Sequence, residues 1–374
     1  MRILVIGMVD SVHLARWLAQ FRETDHEFYI ISSSPHRRVH PTLDELIRTG
    51  NYFIPAVSRY LSLPLWLLDR CFSNALRGCL LAWAGRAFRP QLVHVLEFQN
   101  GGYTYLKARS FGRSLAKAKL LLTPYGSDIY WFRQFPSHLA KLRELITLAD
   151  GFSSECLRDE KLALELGFSG VFGPRIPAFG GIELEPPDNV RGSRNIIAIK
   201  GYQNRWGQAL NAISALQNLG SRIEGFDIVF FSSNLLTIRA AKKFQALTGL
   251  SVTCYKKGEL THEQVLAIFR KSVAYIGLSK SDGISASMIE AMANGAIPIQ
   301  SDTSCCGEWL DHGLGGFLVG YDDIQSISSA LLRVIGDVGF QSTAAKHNFQ
   351  QLKKKLHPPA ISIAAQNTYS MLDS

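Results

Sequence analysis

No uncharged apolar run of the chain reaches about 18 residues, so the sequence holds no bilayer-spanning helix. It has no internal repeat and no low-complexity tract. Cysteine is scarce: Cys71, Cys79, Cys156, Cys254, Cys305 and Cys306 form no CxxC pair, and adjacent Cys305 and Cys306 rarely bridge to each other. Free thiols in a reducing cytoplasm are therefore expected. No His/Cys/Asp/Glu group has metal-ligand spacing, so no metal site is expected. Neither a Gly-x-Gly-x-x-Gly nor a Walker loop is present. No signal peptide is expected, because Met1–Gly7 already reads as a core strand. The densest basic runs, Lys353–Lys355 and Arg37–Arg38, lack the aromatic interleaving of a nucleic-acid module, and no nucleic-acid partner is expected.

What is present is ample core material. The 374 residues are 47% apolar and 19% charged, a globular composition whose length suggests two domains. The net charge of +9 suits anionic partners such as nucleotides or phospholipid head groups. Tyr60–Phe88 mixes Leu61, Leu63, Leu65, Trp66, Leu67, Leu68, Phe72 and Trp83 with several arginines. The favoured reading is one or two core helices with solvated arginines. The alternative is a basic amphipathic surface at a bilayer interface, which implies peripheral contact with an anionic membrane.

The pattern predicts a βαβ opening. Arg2–Gly7 is a continuous apolar run, as for a parallel strand covered on both faces. Asp10 or Ser11 caps a helix, and Glu27–Ser33 is the second strand. Further strands are expected at Leu92–Phe98, Lys119–Pro124 and Gly151–Ser154. From Val171 to Gly192 proline and glycine crowd together, as in a linker between domains. The alternation then restarts. Strands are expected at Asn195–Lys200, Phe226–Phe231, Leu250–Cys254, Val273–Leu278, Ala296–Gln300 and Gly316–Val319, with helices between. The helix from Thr261 has that residue as N-cap. After Lys346 the tail is helical, broken at Pro358–Pro359. This predicts an α/β protein of two Rossmann-like, doubly wound domains facing across a cleft: residues 1–185, residues 186–345, and a helical tail 346–374 returning to the first.

In such sheets ligands sit beyond the carboxyl ends of the strands. The loop Ser279–Ser285 follows a buried strand, turns through Gly283 and opens a short helix ending at Gly295. Amides at that helix start face a phosphate favourably. Asp282 and Glu290 stand eight residues apart and can address one bound molecule. Another reading of Glu290 is a capping box with Ser287. Asp322–Asp323 reads as helix capping rather than as a metal motif.

This segment, with Glu290-Ala291-Met292-Ala293-Asn294-Gly295, resembles the E-x7-E signature of the retaining GT-B family often called glycosyltransferase family 4. Ile297-Pro298-Ile299, Gly307-Glu308-Trp309-Leu310 and Gly315-Gly316-Phe317-Leu318-Val319 match the family's pattern downstream of that signature. The resemblance is strong from about Ile196 to Leu332 and weak at the front. It implies the GT-B architecture and a donor site for a nucleotide diphosphate sugar. Glu290 would hold the ribose diol, Asp282 a sugar hydroxyl, and the backbone of Gly283, Ile284 and Ser285 the diphosphate. The first carboxylate is usually Glu, and the shorter Asp282 puts the sugar's identity in doubt. Lys200 and Arg205 match the family's two diphosphate-binding cations in reverse order. In the first domain, Gly7–His13 resembles the loop that closes on donor and acceptor. Tyr125-Gly126-Ser127-Asp128 resembles another family motif, with Asp128 toward the acceptor or sugar and Glu97 of the same type. Packing or structural roles for His13 and Asp128 are equally open.

The resemblance thus implies sugar transfer to a hydroxyl with retention at the anomeric carbon and no resident cofactor or metal, the departing diphosphate taking the acceptor's proton. A lipid-linked or surface glycan, such as lipopolysaccharide, O-antigen or capsule, is the acceptor class implied, at the inner face of the membrane. The alternatives are an epimerase or phosphorylase on the same fold, or a catalytically silent sugar-nucleotide-binding homologue.

Overall fold

The computed structural model describes residues 1–72, 74–112, 114–186 and 194–373. The chain divides into two compact units: Met1–Gly181 with Pro358–Ser374, and Ile182–His357. Residues 346–357 thus stay with the second unit, and only the part beyond the Pro358 break joins the first. Pro187 and Gly192 of the expected linker lie outside the described residues.

Unit 1 is built on seven strands: β1 (Arg2–Gly7), β2 (Glu27–Ser32), β3 (Tyr52–Phe53), β4 (Leu92–Leu96), β5 (Lys119–Thr123), β6 (Gly151–Phe152) and β7 (Val171–Phe172). All pair in parallel in the order β3-β2-β1-β4-β5-β6-β7. β1 and β4 are apolar along almost their full length because helices cover both faces. The two-residue edge strands β3 and β7 have too little periodicity to be read from sequence.

Unit 2 repeats the plan with β8 (Ile196–Lys200), β9 (Asp227–Ser233), β10 (Val252–Lys256), β11 (Ser272–Gly277), β12 (Ile297–Ser301) and β13 (Phe317–Val319). Its parallel order is β10-β9-β8-β11-β12-β13. In each unit the strand order reverses beside the first strand, the position at which open α/β sheets bind ligands. The core of unit 2 joins Ile197, Ile199, Phe230 and Ile276 to Leu216, Phe244 and Leu331 from the covering helices. Each such side chain contributes about 1.5–3 kcal/mol by leaving water.

Local signals explain most helix ends. Ser11 caps the Val12–Ala19 helix through the His13 amide. Thr261 and Gln264 form the reciprocal capping box of His262–Lys271. Asp323 caps Ile324–Gly336 by accepting from the Ser326 amide at 3.0 Å.

The Pro358–Ser370 helix is held to unit 1 by a buried polar chain. Trp17 Nε1 donates to the Tyr369 hydroxyl at 3.0 Å, which lies 2.9 Å from His94 Nδ1. His94 Nε2 is 2.8 Å from Thr123 Oγ1. Burial holds the His94 pKa down to about 3, so the ring is neutral.

Two sequence expectations need correction. Cys71, Cys79, Cys254 and Cys306 are free thiols, but Cys156 and Cys305 are not. Within Tyr60–Phe88 the Ala75–Phe88 helix sends Leu81 and Ala84 into the core, whereas Tyr60, Leu61, Leu63, Leu67, Leu68 and Phe72 face solvent.

Candidate functional site

In unit 2 the residues singled out by sequence gather at the carboxyl ends of β8 and β11, the neighbouring strands at the reversal of order. Lys200 is the last residue of β8. Gly201 follows, where a Cβ would lie 2.2 Å from Ser233 Oγ and 2.9 Å from the Phe231 carbonyl. Only glycine lets the chain leave β8 against β9. The loop then folds back: Gly207 bridges Ser279, and the Lys280 amide donates to the Trp206 carbonyl at 2.9 Å. Gly277 ends β11 under similar constraint, since its Cβ would meet Gln300 Oε1 and the Tyr275 hydroxyl at 2.4 Å.

Lys200 Nζ lies 3.9 Å from Asp282 Oδ2 and 5.5 Å from the centre of the Tyr202 ring. Burial acts to lower the Lys200 pKa, but the net shift is upward, led by the neighbouring Asp282 carboxylate, so the ammonium stays charged. Asp282 Oδ1 accepts from the Gly283 amide at 2.9 Å, which fixes the turn into the next helix. Tyr275 and Cys306 lie beneath, both pushed up to about 12 by burial and therefore neutral.

The Ala286–Ala293 helix has Ser285 as N-cap, and the Ser285 side chain makes no cap bond to the helix. Glu290 is therefore not part of a capping box with Ser287. Its Oε1 lies 2.8 Å from His262 Nε2, and its side chain is only 13% exposed. His262 opens the neighbouring helix directly after its cap, Thr261. Sequence reading missed this histidine, because the capping box that places it accounts locally for Thr261 and Gln264 and leaves His262 unassigned. Arg205 is exposed at the loop tip, its guanidinium 5.1 Å over the Trp206 ring.

A second group lies in unit 1 at the carboxyl ends of β1, β4 and β5. Gly7 ends β1, and the His13 ring is 5.5 Å from that of Tyr125. Asp128 Oδ2 accepts from the amides of Tyr125 at 2.7 Å and Phe98 at 3.2 Å. Glu97 sits at φ 83°, a conformation costing a non-glycine residue about 1–3 kcal/mol. Its carboxylate offsets this by accepting from the amides of Asn100 at 2.7 Å and Gly101 at 3.1 Å. Burial first, then mutual repulsion, raises the Asp128 pKa well above the carboxylate range; burial also raises that of Glu97. Both carboxyls thus tie loop backbone. The buried Glu155, which sequence reading did not select, does likewise for the Ala178 amide at 2.9 Å.

Residues 240–355, about a third of the chain, match the family described as glycosyl transferases group 1. That domain includes Asp282 and Glu290. No curated protein matches the sequence. Solved structures share the fold over the whole length. HepE of Anabaena in complex with UDP is 13% identical with a TM-score of 0.68, covering 99% of this chain and 100% of its own. Sucrose-phosphate synthase of Thermosynechococcus elongatus is 14% identical with a TM-score of 0.70, covering 100% and 99%. The apo form of the lipopolysaccharide outer core galactosyltransferase WaaB is 15% identical with a TM-score of 0.68, covering 99% of each. At these identities the likeness is one of fold: two parallel α/β sheets of GT-B glycosyltransferase type.

Proposed function

We propose that this chain is a retaining glycosyltransferase of the family 4 type, moving a sugar from a nucleoside diphosphate sugar to a hydroxyl of a lipid-linked or surface glycan. The observation carrying this reading is the meeting of Lys200, Asp282 and the start of the Ala286–Ala293 helix at the ends of β8 and β11, Asp282 and that helix lying inside a glycosyl transferases group 1 domain.

In this proposal Glu290 accepts from the ribose diol and Asp282 from a hydroxyl of the sugar. The amides of Gly283, Ile284 and Ser285 and the Lys200 ammonium face the diphosphate, with Arg205 closing from the loop tip. The bond from the anomeric carbon to the diphosphate oxygen breaks. The acceptor oxygen bonds to that carbon on the same face, and its proton passes to the departing diphosphate. Fixed cations and amides stabilise the charge that develops there, the part a metal ion would otherwise play. Of the unit 1 candidates, Gly7 on the loop after β1 faces the donor, His13, Glu97 and Tyr125 face the acceptor, and Asp128 contacts the acceptor or sugar. HepE was solved with UDP-glucose and WaaB is a lipopolysaccharide outer core galactosyltransferase, which supports UDP-sugars as the first donors to try and a surface glycan at the inner membrane face as acceptor.

The second reading, a silent homologue, draws on the exposed position of Arg205 and the short side chain of Asp282. Both are tested by thermal shift with nucleoside diphosphates and their sugars, wild type against Glu290→Ala, followed by donor turnover. The enzyme reading expects one donor to raise the melting temperature, Glu290→Ala to abolish the rise, and the wild type to consume that donor. A shift without consumption selects the silent homologue, and no shift with any donor overturns both.

A further inference from the structure

One stretch of unit 1 is folded with its polar side inward and its apolar side outward. The helices Ala56–Tyr60 and Ser62–Asp69 are anchored by polar groups. Ser58 Oγ accepts from the Ser32 amide at 2.6 Å. Ser62 Oγ accepts from the His36 amide and donates to its carbonyl, both at 3.2 Å. His36 Nε2 lies 3.2 Å from the Arg59 carbonyl. Fully buried Asp69 accepts from Arg77 Nε and from the Leu76 amide, each at 2.8 Å.

The other side is apolar. Leu63 and Leu67 stand four apart on the second helix with Pro64 and Leu68 alongside, so they share one face, and Tyr60 and Leu61 at the junction before it are exposed as well. Tyr60 is 72% exposed, Leu68 58% and Phe72 55%. Among the described residues, none from these two helices joins a hydrophobic core of the chain. In water this arrangement is inside out.

The charge near it is mainly basic, with Asp44 taken up by Arg59 and Arg48. Between Phe53 and Pro90 the sequence has a single carboxylate, Asp69, and it is buried on Arg77. Arg86 and Arg89 are exposed, as are Arg37 and Arg38, which directly follow the histidine that clasps Ser62. An apolar ridge in a stretch of sequence rich in exposed arginine matches the lipid head-group layer, with leucines at the acyl boundary and guanidiniums on phosphates. A second copy of the chain fits less well, because a two-fold contact sets the same arginines against each other. No described helix is long and apolar enough to cross a membrane, so the fit is to the interface.

We propose that Ala56–Phe72, with the surrounding arginines, is a docking surface for an anionic bilayer. This deepens the reading of a lipid-linked acceptor by naming the surface that meets the membrane, but its test does not require turnover.

The full chain is floated with vesicles of phosphatidylcholine alone or with about 30 mol% phosphatidylglycerol. The wild type is expected to float with the anionic vesicles. Leu67→Glu combined with Leu68→Glu should lower the bound fraction roughly tenfold, since charges replace the exposed leucines that would enter the bilayer. Arg86→Glu combined with Arg89→Glu should remove the preference for anionic lipid. Leu247→Glu, at an exposed leucine of unit 2, should float as wild type. The proposal is overturned if the wild type stays unbound with both vesicle types, or if the Leu67/Leu68 variant floats unchanged. It also falls if light scattering shows a dimer that this variant dissolves while vesicle binding persists. Circular dichroism checks folding, and Leu67→Ser with Leu68→Ser replaces a variant that fails it. The donor thermal shift on the same samples separates the two ideas: a shift without flotation defeats docking alone, and flotation without a shift defeats the donor site alone.

Discussion

His262 is where the proposed donor site can be tested most finely at the residue scale. Its Nε2 contacts Oε1 of Glu290 at 2.8 Å. If His262 positions that carboxylate, His262→Ala should weaken nucleotide binding by about 0.5–1.5 kcal/mol, the usual net worth of one hydrogen bond. Calorimetric titration with UDP checks this, and His262→Gln should recover part of the loss by restoring a donor. Equal affinity in wild type and His262→Ala would mean that the contact is a surface pair without consequence. Asp282 was legible from the motif alone, whereas its contact with Lys200 joins a loop to a strand end more than eighty residues away and required the fold.

At the scale of elements, the Pro358–Ser370 helix depends on neutral His94. In the folded state this ring ionises only near pH 3, in the unfolded chain near 6.5. The unfolded chain therefore binds more protons between these values, and the histidine's contribution is complete above 6.5 and lost as pH falls. The slope reaches about 1.4 kcal/mol per pH unit for this one group. Glu97 and Asp128 act oppositely, because their raised values favour the folded state at low pH and lose that advantage as pH rises. Melting of wild type against His94→Gln across pH 4–7 isolates the histidine: the acid-side loss should be shallower in the variant. Parallel curves would assign the acid sensitivity elsewhere. Element types were readable because buried parallel strands such as β1, β8 and β11 are unbroken apolar runs. The two-residue edge strands β3 and β7 and the inverted helices were not, since two residues carry no period and a leucine-rich run reads alike whether its leucines face core or solvent.

For the whole molecule, two units with separate sheets and cores should melt separately. Scanning calorimetry is expected to show two transitions. A nucleoside diphosphate at a hundredfold excess over its dissociation constant should stabilise only that of Ile182–His357, by about 2.7 kcal/mol. Ending the chain at His357 removes Tyr369 from beside Trp17 and His94, and should lower or abolish the other transition. A single transition shifted equally by both changes would refute the independence of the units.

The order of apolar strands and amphipathic helices settled the two α/β domains, because periodicity follows from local burial. The resemblance around Asp282 and Glu290 pointed to a candidate donor loop after a strand. Tertiary structure alone decided which side chains meet: Lys200 with Asp282, His262 with Glu290, and Tyr369 with His94 across most of the chain's length. It also decided that Tyr60–Phe72 turns its leucines outward, since which face of a helix is buried depends on what packs against it rather than on the helix's own sequence.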